Sequence, residues 1–432
     1  MKKIKVLISS SIFMMLFLFY AAGAQAMIDG VGGTTFNLTA KEGRISTADG
    51  NSIYAWGYAN GNGAMQYPGV TMIVNQGDAV TVNLTNQLPI PVSIVFPGQK
   101  DVAAIGGSAG LLTREAATGQ TVKYTFVASE PGTYIYYSGS RPELQVEMGL
   151  VGAIIVRPQN YDPNMPRAYN HAGSEYDRET LFLLTEMDSR IHETVEFLGV
   201  AGLNTTDYLS NYFPNYWFIN GRTAPDTMAP SFAAWFPTQP YNSMPIMHPG
   251  ERLLMRVVNA GRDLHPFHHH GNHARVIAWD GKLLESAAGA GPDIGPSVFT
   301  IQSVPGTTAD AIFEWTGKGL GWDIYGSAPH ACIDTNADGF DDASKEYCPD
   351  HGKPFPVVLP DIGDLTVGGF YGGSPFLGTP DLLPPGQGGM NPNAGYVYMW
   401  HSHTEKEMTN FDIFPGGMMT MLIIEAPTVP IQ

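Results

Sequence analysis

Two short segments hold seven of the chain's 12 histidines: His265-Pro-Phe-His268-His269-His270-Gly271-Asn272-His273 and Tyr398-Met399-Trp400-His401-Ser402-His403. Imidazole is the commonest side-chain metal ligand. In a strand, residues two apart face the same way, so His268 and His270 should point together, as should His401 and His403. Two such strands side by side would gather four imidazoles, with His265 next to them. Four neutral nitrogens suit Cu(II), and zinc is the rival. No cysteine stands between His401 and His403 to supply a thiolate.

Strands must position these residues. The 432-residue chain has 44% hydrophobic and 15% charged residues, with 50 Gly and 33 Pro. That is enough apolar material for sizeable cores, in a turn-rich chain that reads as all-β. A net charge of -17 disfavours nucleic acid and anionic membranes as partners. It leaves metal ions, further copies of the chain or a cell-surface protein. Short alternating runs such as Ala79-Val-Thr-Val-Asn-Leu-Thr85 and Val122-Lys-Tyr-Thr-Phe-Val127 suit a β-sandwich at residues 27–157. A polar, Pro-containing linker follows from Pro158. A second strand-rich block, 158–432, carries both histidine segments. Regular patterning lapses over about 326–393, as expected of a long loop insertion.

Residues 1–26 have a basic start, an apolar run and Ala24-Gln25-Ala26, the pattern of a cleaved signal peptide. The expected location is periplasmic, cell-surface or extracellular, with no membrane span after cleavage. Cys332 and Cys348 are the two cysteines, and export would let them bond. Between them, Asp334, Asn336, Asp338, Phe340 and Asp342 surround Gly339 with the spacing of a calcium loop. Lys345 stands where an EF-hand has its bidentate Glu.

Arg256-Val-Val-Asn-Ala-Gly261 followed by His265-Pro-Phe-His268-x-His270-Gly271 resembles the last domain of multicopper oxidases. Gly132-Thr-Tyr-Ile-Tyr136 and Gly149-Leu-Val-Gly-Ala-Ile-Ile-Val156 resemble their first domain, and His401 through Met419 their C-terminal copper strand. The resemblance implies two cupredoxin-like Greek-key sandwiches, as in two-domain laccases. It also implies type 1 copper at His265 and trinuclear copper at His268, His270, His401 and His403. The departures are specific. Ser402 replaces the type 1 cysteine. Val95, Pro97, Tyr137 and Gly139 stand where the family has first-domain histidines. Half of a trinuclear ligand set is therefore missing. The expectation is a copper-binding relative with a residual histidine site, whose activity as an oxidoreductase is open. The alternative is a non-catalytic envelope or surface module.

Overall fold

The computed structural model describes residues 28–325, 329–354, 373–374, 395–427 and 429–431. The signal-peptide region and most of the insertion beyond residue 354 lie outside these.

Four main sheets carry the chain. The first half supplies a five-stranded sheet in the order Ser52–Asn60, Thr35–Ser46, Ala79–Asn86, Thr121–Val127, Lys100–Gly106. It also supplies a four-stranded sheet in the order Val31–Gly32, Met72–Asn75, Val151–Arg157, Gly132–Tyr137. The second half builds a seven-stranded sheet around Arg178–Met187, Arg252–Asn259 and Thr308–Glu314. Its six-stranded sheet contains His265–His269, Tyr396–Ser402 and Met419–Ile424. The two halves share a topological signature. In each, the opening long strand pairs in parallel with a later one: Thr35–Ala40 with Thr81–Asn86, and Arg178–Leu184 with Leu253–Asn259. In each, the other sheet also has a parallel pair that closes it, Met72–Asn75 with Ile154–Arg157 and Ile246–Met247 with Ile423–Ile424. The fold is two cupredoxin-like β-sandwiches.

Local sequence explains the layers. Ala79–Asn86 and Thr121–Val127 alternate buried and more exposed positions, as half-buried strands do. Val151–Arg157 is buried at every position. Ile154 and Val156 enter the first sandwich core, whereas Val151, Ala153 and Ile155 pack with Leu181, Leu183, Phe218 and Val258 of the second half. A strand covered on both faces needs an unbroken apolar run, and this one has it. The segment expected to be a linker is not a free tether: Ala168, Tyr169 and Tyr176 are buried against Leu254, Ile277 and Ile312.

One element escaped the sequence reading, a helix at Ser189–Leu198 capped by Asp188, whose side chain accepts from the Arg190 N–H. Among the described residues no helix is long and apolar enough to cross a membrane.

Candidate metal centre

The Tyr396–Ser402 strand runs antiparallel to His265–His269, with His401 directly opposite His268 and Trp400 opposite His269. Directly opposed residues share a face. The register is held from below: Phe267 and Trp400 are fully buried and pack with Phe182 and Phe313. After His269 the chain leaves the ladder. His270 stays attached through its N–H to the Met399 carbonyl at 3.3 Å, and its own carbonyl accepts from the Trp400 indole at 2.9 Å. Gly271 then turns with φ +104, a backbone region that favours glycine. So an aromatic core fixes the strands, and the strands fix the histidines.

One ring nitrogen from each of His268, His270 and His401 lies within 4.8 Å of the others. His270 and His401 approach through their Nε2 atoms at 3.2 Å, and the His268 ring is 4.6 Å from that of His270. The Nδ1 of His401 is 2.7 Å from the Ser402 carbonyl, which can only accept. That bond places the proton on Nδ1 and leaves a lone pair on Nε2, pointing into the cluster. Burial, followed by the neighbouring imidazoles, pushes His268 down to about 3. Burial pushes His401 down to about 4, with His270 and His403 adding to it and the Ser402 carbonyl opposing. The rings are therefore neutral at neutral pH, as ligation requires. His270 and His401 are buried, and His268 is partly open to solvent beside Phe299.

Two of the expected ligands stand elsewhere. His403 lies one residue past the strand end and is exposed. Its ring sits 4.9 Å from that of His268, but it is not one of the three that converge. His265 is fully buried between two carboxylates: Nδ1 is 2.8 Å from Glu407 and Nε2 is 2.8 Å from Glu186. Both ring nitrogens of His265, the residue the resemblance assigns to type 1 copper, are thus engaged by carboxylates here. Ser402, at the cysteine position, is fully buried, and its hydroxyl accepts from the Thr404 N–H at 3.2 Å.

His265 also sets a pH dependence. Burial alone would push it down, but its hydrogen bonds to Glu186 and Glu407 win and raise it to about 9. Its ordinary value is about 6.5. A raised folded-state value stabilises fully below about 6.5 and loses that contribution as pH rises through about 9. Unfolding free energy should fall between those limits in the native protein. In His265→Gln the fall should be absent. Denaturant titrations at pH 6 and 9 measure it, and equal slopes in both proteins would refute the assignment.

The first sandwich offers no partner ligands at the positions the family uses. Val95 and Tyr137 form a direct antiparallel bridge, so those positions do face each other, but with an isopropyl group and a phenol. At Gly139 a Cβ would lie 2.7 Å from Val95 and 3.0 Å from Ser93. A histidine there would need the site rebuilt.

The cysteines bond, Cys332 to Cys348, with Cα atoms 5.6 Å apart. Inside that loop Asp334 accepts from the Asp338 and Gly339 N–H groups, Asn336 from Asp338, and Asp338 from Phe340. Asp342 accepts from Thr335. The turn is closed by its own hydrogen bonds. The groups of three or more metal-competent His, Cys, Asp and Glu side chains found among the described residues do not include Asp334, Asp338 or Asp342.

Comparison with known proteins fits this architecture. Residues 39–161 match the multicopper oxidase family. A laccase of Aspergillus fumigatus is 35% identical over 96 residues, which is 22% of this chain and 16% of that one. The first sandwich is thus similar to a multicopper oxidase domain. A probable nitrite reductase–hydroxylamine oxidoreductase fusion protein of Kuenenia stuttgartiensis is 24% identical over 290 residues, covering 63% of this chain and 30% of the fusion. The chain thus spans less than a third of the length of either. The blue copper oxidase of Nitrosomonas europaea superposes with a TM-score of 0.55 at 19% identity, covering 90% of this chain and 85% of that one, a likeness of fold.

The most informative residues at the site are those the sequence could not pair. Glu186 and Glu407 lie 79 and 142 positions from His265.

Proposed function

We propose that this protein is an exported copper-binding member of its family, with one copper held by His268, His270 and His401. The observation that carries the reading is the convergence of three imidazoles, two at facing positions of neighbouring strands and the third just past a strand end. Copper is favoured over zinc because the family is one of copper proteins; the imidazole set alone suits both. Such a metal would supply one-electron redox chemistry or a Lewis acid, with a coordination position left open by a three-residue set. The protein's own part is to hold His401 in one tautomer through the Ser402 carbonyl and to bury His270 and His401. Export is supported by the signal-like residues 1–26 and by the Cys332–Cys348 disulfide.

Laccase-type reduction of oxygen is not proposed. Ser402 offers no thiolate, His265 is tied to Glu186 and Glu407, and Val95 and Tyr137 replace first-domain ligands. The partly open His268 favours, as the second reading, a weak oxidoreductase acting on a small donor at one copper. A purely structural envelope module would keep the fold and bind no copper.

Spectroscopy separates these. Purified mature protein, reconstituted with Cu(II), should show a paramagnetic resonance signal of one copper per chain. It should lack the intense visible absorption of a copper thiolate. Oxygen uptake with phenols or Fe(II) should be weak. Copper far short of one per chain after reconstitution would overturn the site. Sustained phenol turnover would overturn the demotion of catalysis.

A further inference from the structure

A second group of side chains lies outside the histidine cluster, at the base of the disulfide loop. Asp323, His330, Glu346 and His351 each bring one ligand atom within 4.8 Å of the others. His330 Nε2 is 3.5 Å from Asp323 Oδ2 and 3.2 Å from Glu346 Oε2. His351 Nδ1 is 3.6 Å from Asp323 Oδ2 and 2.9 Å from Glu346 Oε1. The two rings are perpendicular, with centroids 4.8 Å apart.

Both carboxylates are buried, with 1% of each side chain exposed. Two adjacent anions out of water repel each other and call for a cation. Glu346 Oε2 is buried and accepts no hydrogen bond, although it faces His330 Nε2. An orphaned carboxylate oxygen in such a place asks for an explanation, and a missing ion is one. Asp323, by contrast, is fixed in place, accepting from the Tyr325 N–H through Oδ1 and the Gly352 N–H through Oδ2.

The spacings separate ligation from hydrogen bonding. Nitrogen-to-oxygen hydrogen bonds run at about 2.7–3.2 Å. Zinc binds nitrogen and oxygen at about 2.0–2.2 Å, so tetrahedral ligands stand about 3.3–3.6 Å from one another. The two distances to Asp323, 3.5 and 3.6 Å, match that edge length and exceed a hydrogen bond, whereas His330 to Glu346 at 3.2 Å stands at the border of the two ranges and His351 to Glu346 at 2.9 Å is a normal hydrogen bond.

The chain order explains how the set is assembled. His330 precedes Cys332 by two residues, and His351 follows Cys348 by three. The disulfide clamps the two ends of the loop and so brings both histidines to Asp323. Glu346 enters from inside the loop.

We propose that Asp323, His330, Glu346 and His351 form a second, structural metal site that takes a divalent cation of the zinc class. Two imidazoles and two carboxylates fill a tetrahedron with no position left for substrate, the pattern of structural rather than catalytic zinc. The site pins the start of the long insertion to the second sandwich. It is independent of the histidine cluster at His268, His270 and His401.

The test is zinc stoichiometry and affinity, measured on the full mature chain against a chromophoric chelator. The unmodified protein, a His330→Gln, His351→Gln variant and a His268→Gln, His401→Gln variant are compared. The first variant should lose one tightly bound zinc per chain, and the second should retain it. X-ray absorption of the retained zinc should show nitrogen and oxygen ligands and no sulfur. Limited proteolysis of residues 329–354 guards against misfolding: added zinc should protect the unmodified loop and leave the His330→Gln, His351→Gln loop unaffected. An Asp323→Asn variant should also lose the ion. If the first variant binds zinc as tightly and in the same number as the unmodified protein, or if the second variant binds none, the four residues are an ion-pair cluster only and the proposal fails. Failure of the copper assignment would appear separately, as zinc and copper binding that substitutions at His268 and His401 leave unchanged.

Discussion

Replacing His401 with alanine is expected to weaken Cu(II) binding by about 100-fold or more, while His403→Ala changes it far less. Residues that merely orient a metal ligand cost about 10–100-fold in affinity when lost, so removing a ligand itself should cost at least the upper end of that range. His401 contributes the Nε2 lone pair that faces His270 at 3.2 Å, and its Nδ1 proton is committed to the Ser402 carbonyl. His403 is exposed and outside the converging trio. Competition titrations of each variant, with circular dichroism to confirm the fold, measure the contrast. Equal losses at 401 and 403 would mean a four-histidine site and would refute the three-ligand assignment.

The contrast also shows where sequence stopped being a guide. Strand alternation predicts that His401 and His403 share a face. It holds only while the strand lasts, and this one ends at Ser402 before the chain turns into a short helix at Glu405–Met408. The pairing of His268 with His270 and His401 was legible because all three lie on or beside one regular ladder with an aromatic underside. The environment of His265 was not legible because it is non-local: two distant glutamates, Glu186 and Glu407, meet its two nitrogens.

The sandwiches themselves were legible. Alternating runs such as Ala79–Asn86 announce a half-buried strand, and the continuous apolar run at Val151–Arg157 announces one covered on both faces. What no local pattern could convey is what covers the second face, since its partners Leu181, Leu183 and Val258 belong to the other half of the chain. The zinc-class cluster was hidden for a similar reason. Its four residues span Asp323 to His351, and only the closed disulfide makes His330 and His351 neighbours. Two histidines just outside the cysteine pair, His330 and His351, were the signal available in the sequence.

Glu179→Ala should be the most destabilising single substitution, by about 3–5 kcal/mol, the range for removing one member of a buried charge pair. Glu179 is buried and receives two guanidinium groups. Arg157 donates to both its oxygens, and Arg256 donates from Nε to Oε2 at 2.9 Å. Arg157 ends the strand that serves both the first sandwich core and the shared core, and Arg256 lies in the second sandwich. The network extends through Thr133 to Asp310, which also accepts from the Tyr169 hydroxyl at 2.6 Å. Removing the carboxylate would leave Arg157 and Arg256 charged, out of water and facing each other. Forming such a buried pair is often near neutral in free energy; breaking it is not, because the desolvation cost remains. Burial pushes the Glu179 carboxyl up, but Arg157 and Arg256 overcome it and hold it down at about 2. Its ordinary value is about 4.3. A depressed folded-state value stabilises fully above about 4.3 and loses that contribution as pH falls through about 2. Acid should therefore weaken the native protein over that interval more steeply than Glu179→Gln, which keeps the shape and cannot titrate. Guanidinium unfolding at pH 7 and pH 3 measures both effects. A Glu179→Ala loss under about 1 kcal/mol, the ordinary scale of an exposed pair, would mean that water reaches the network and that it does not bind the two sandwiches together.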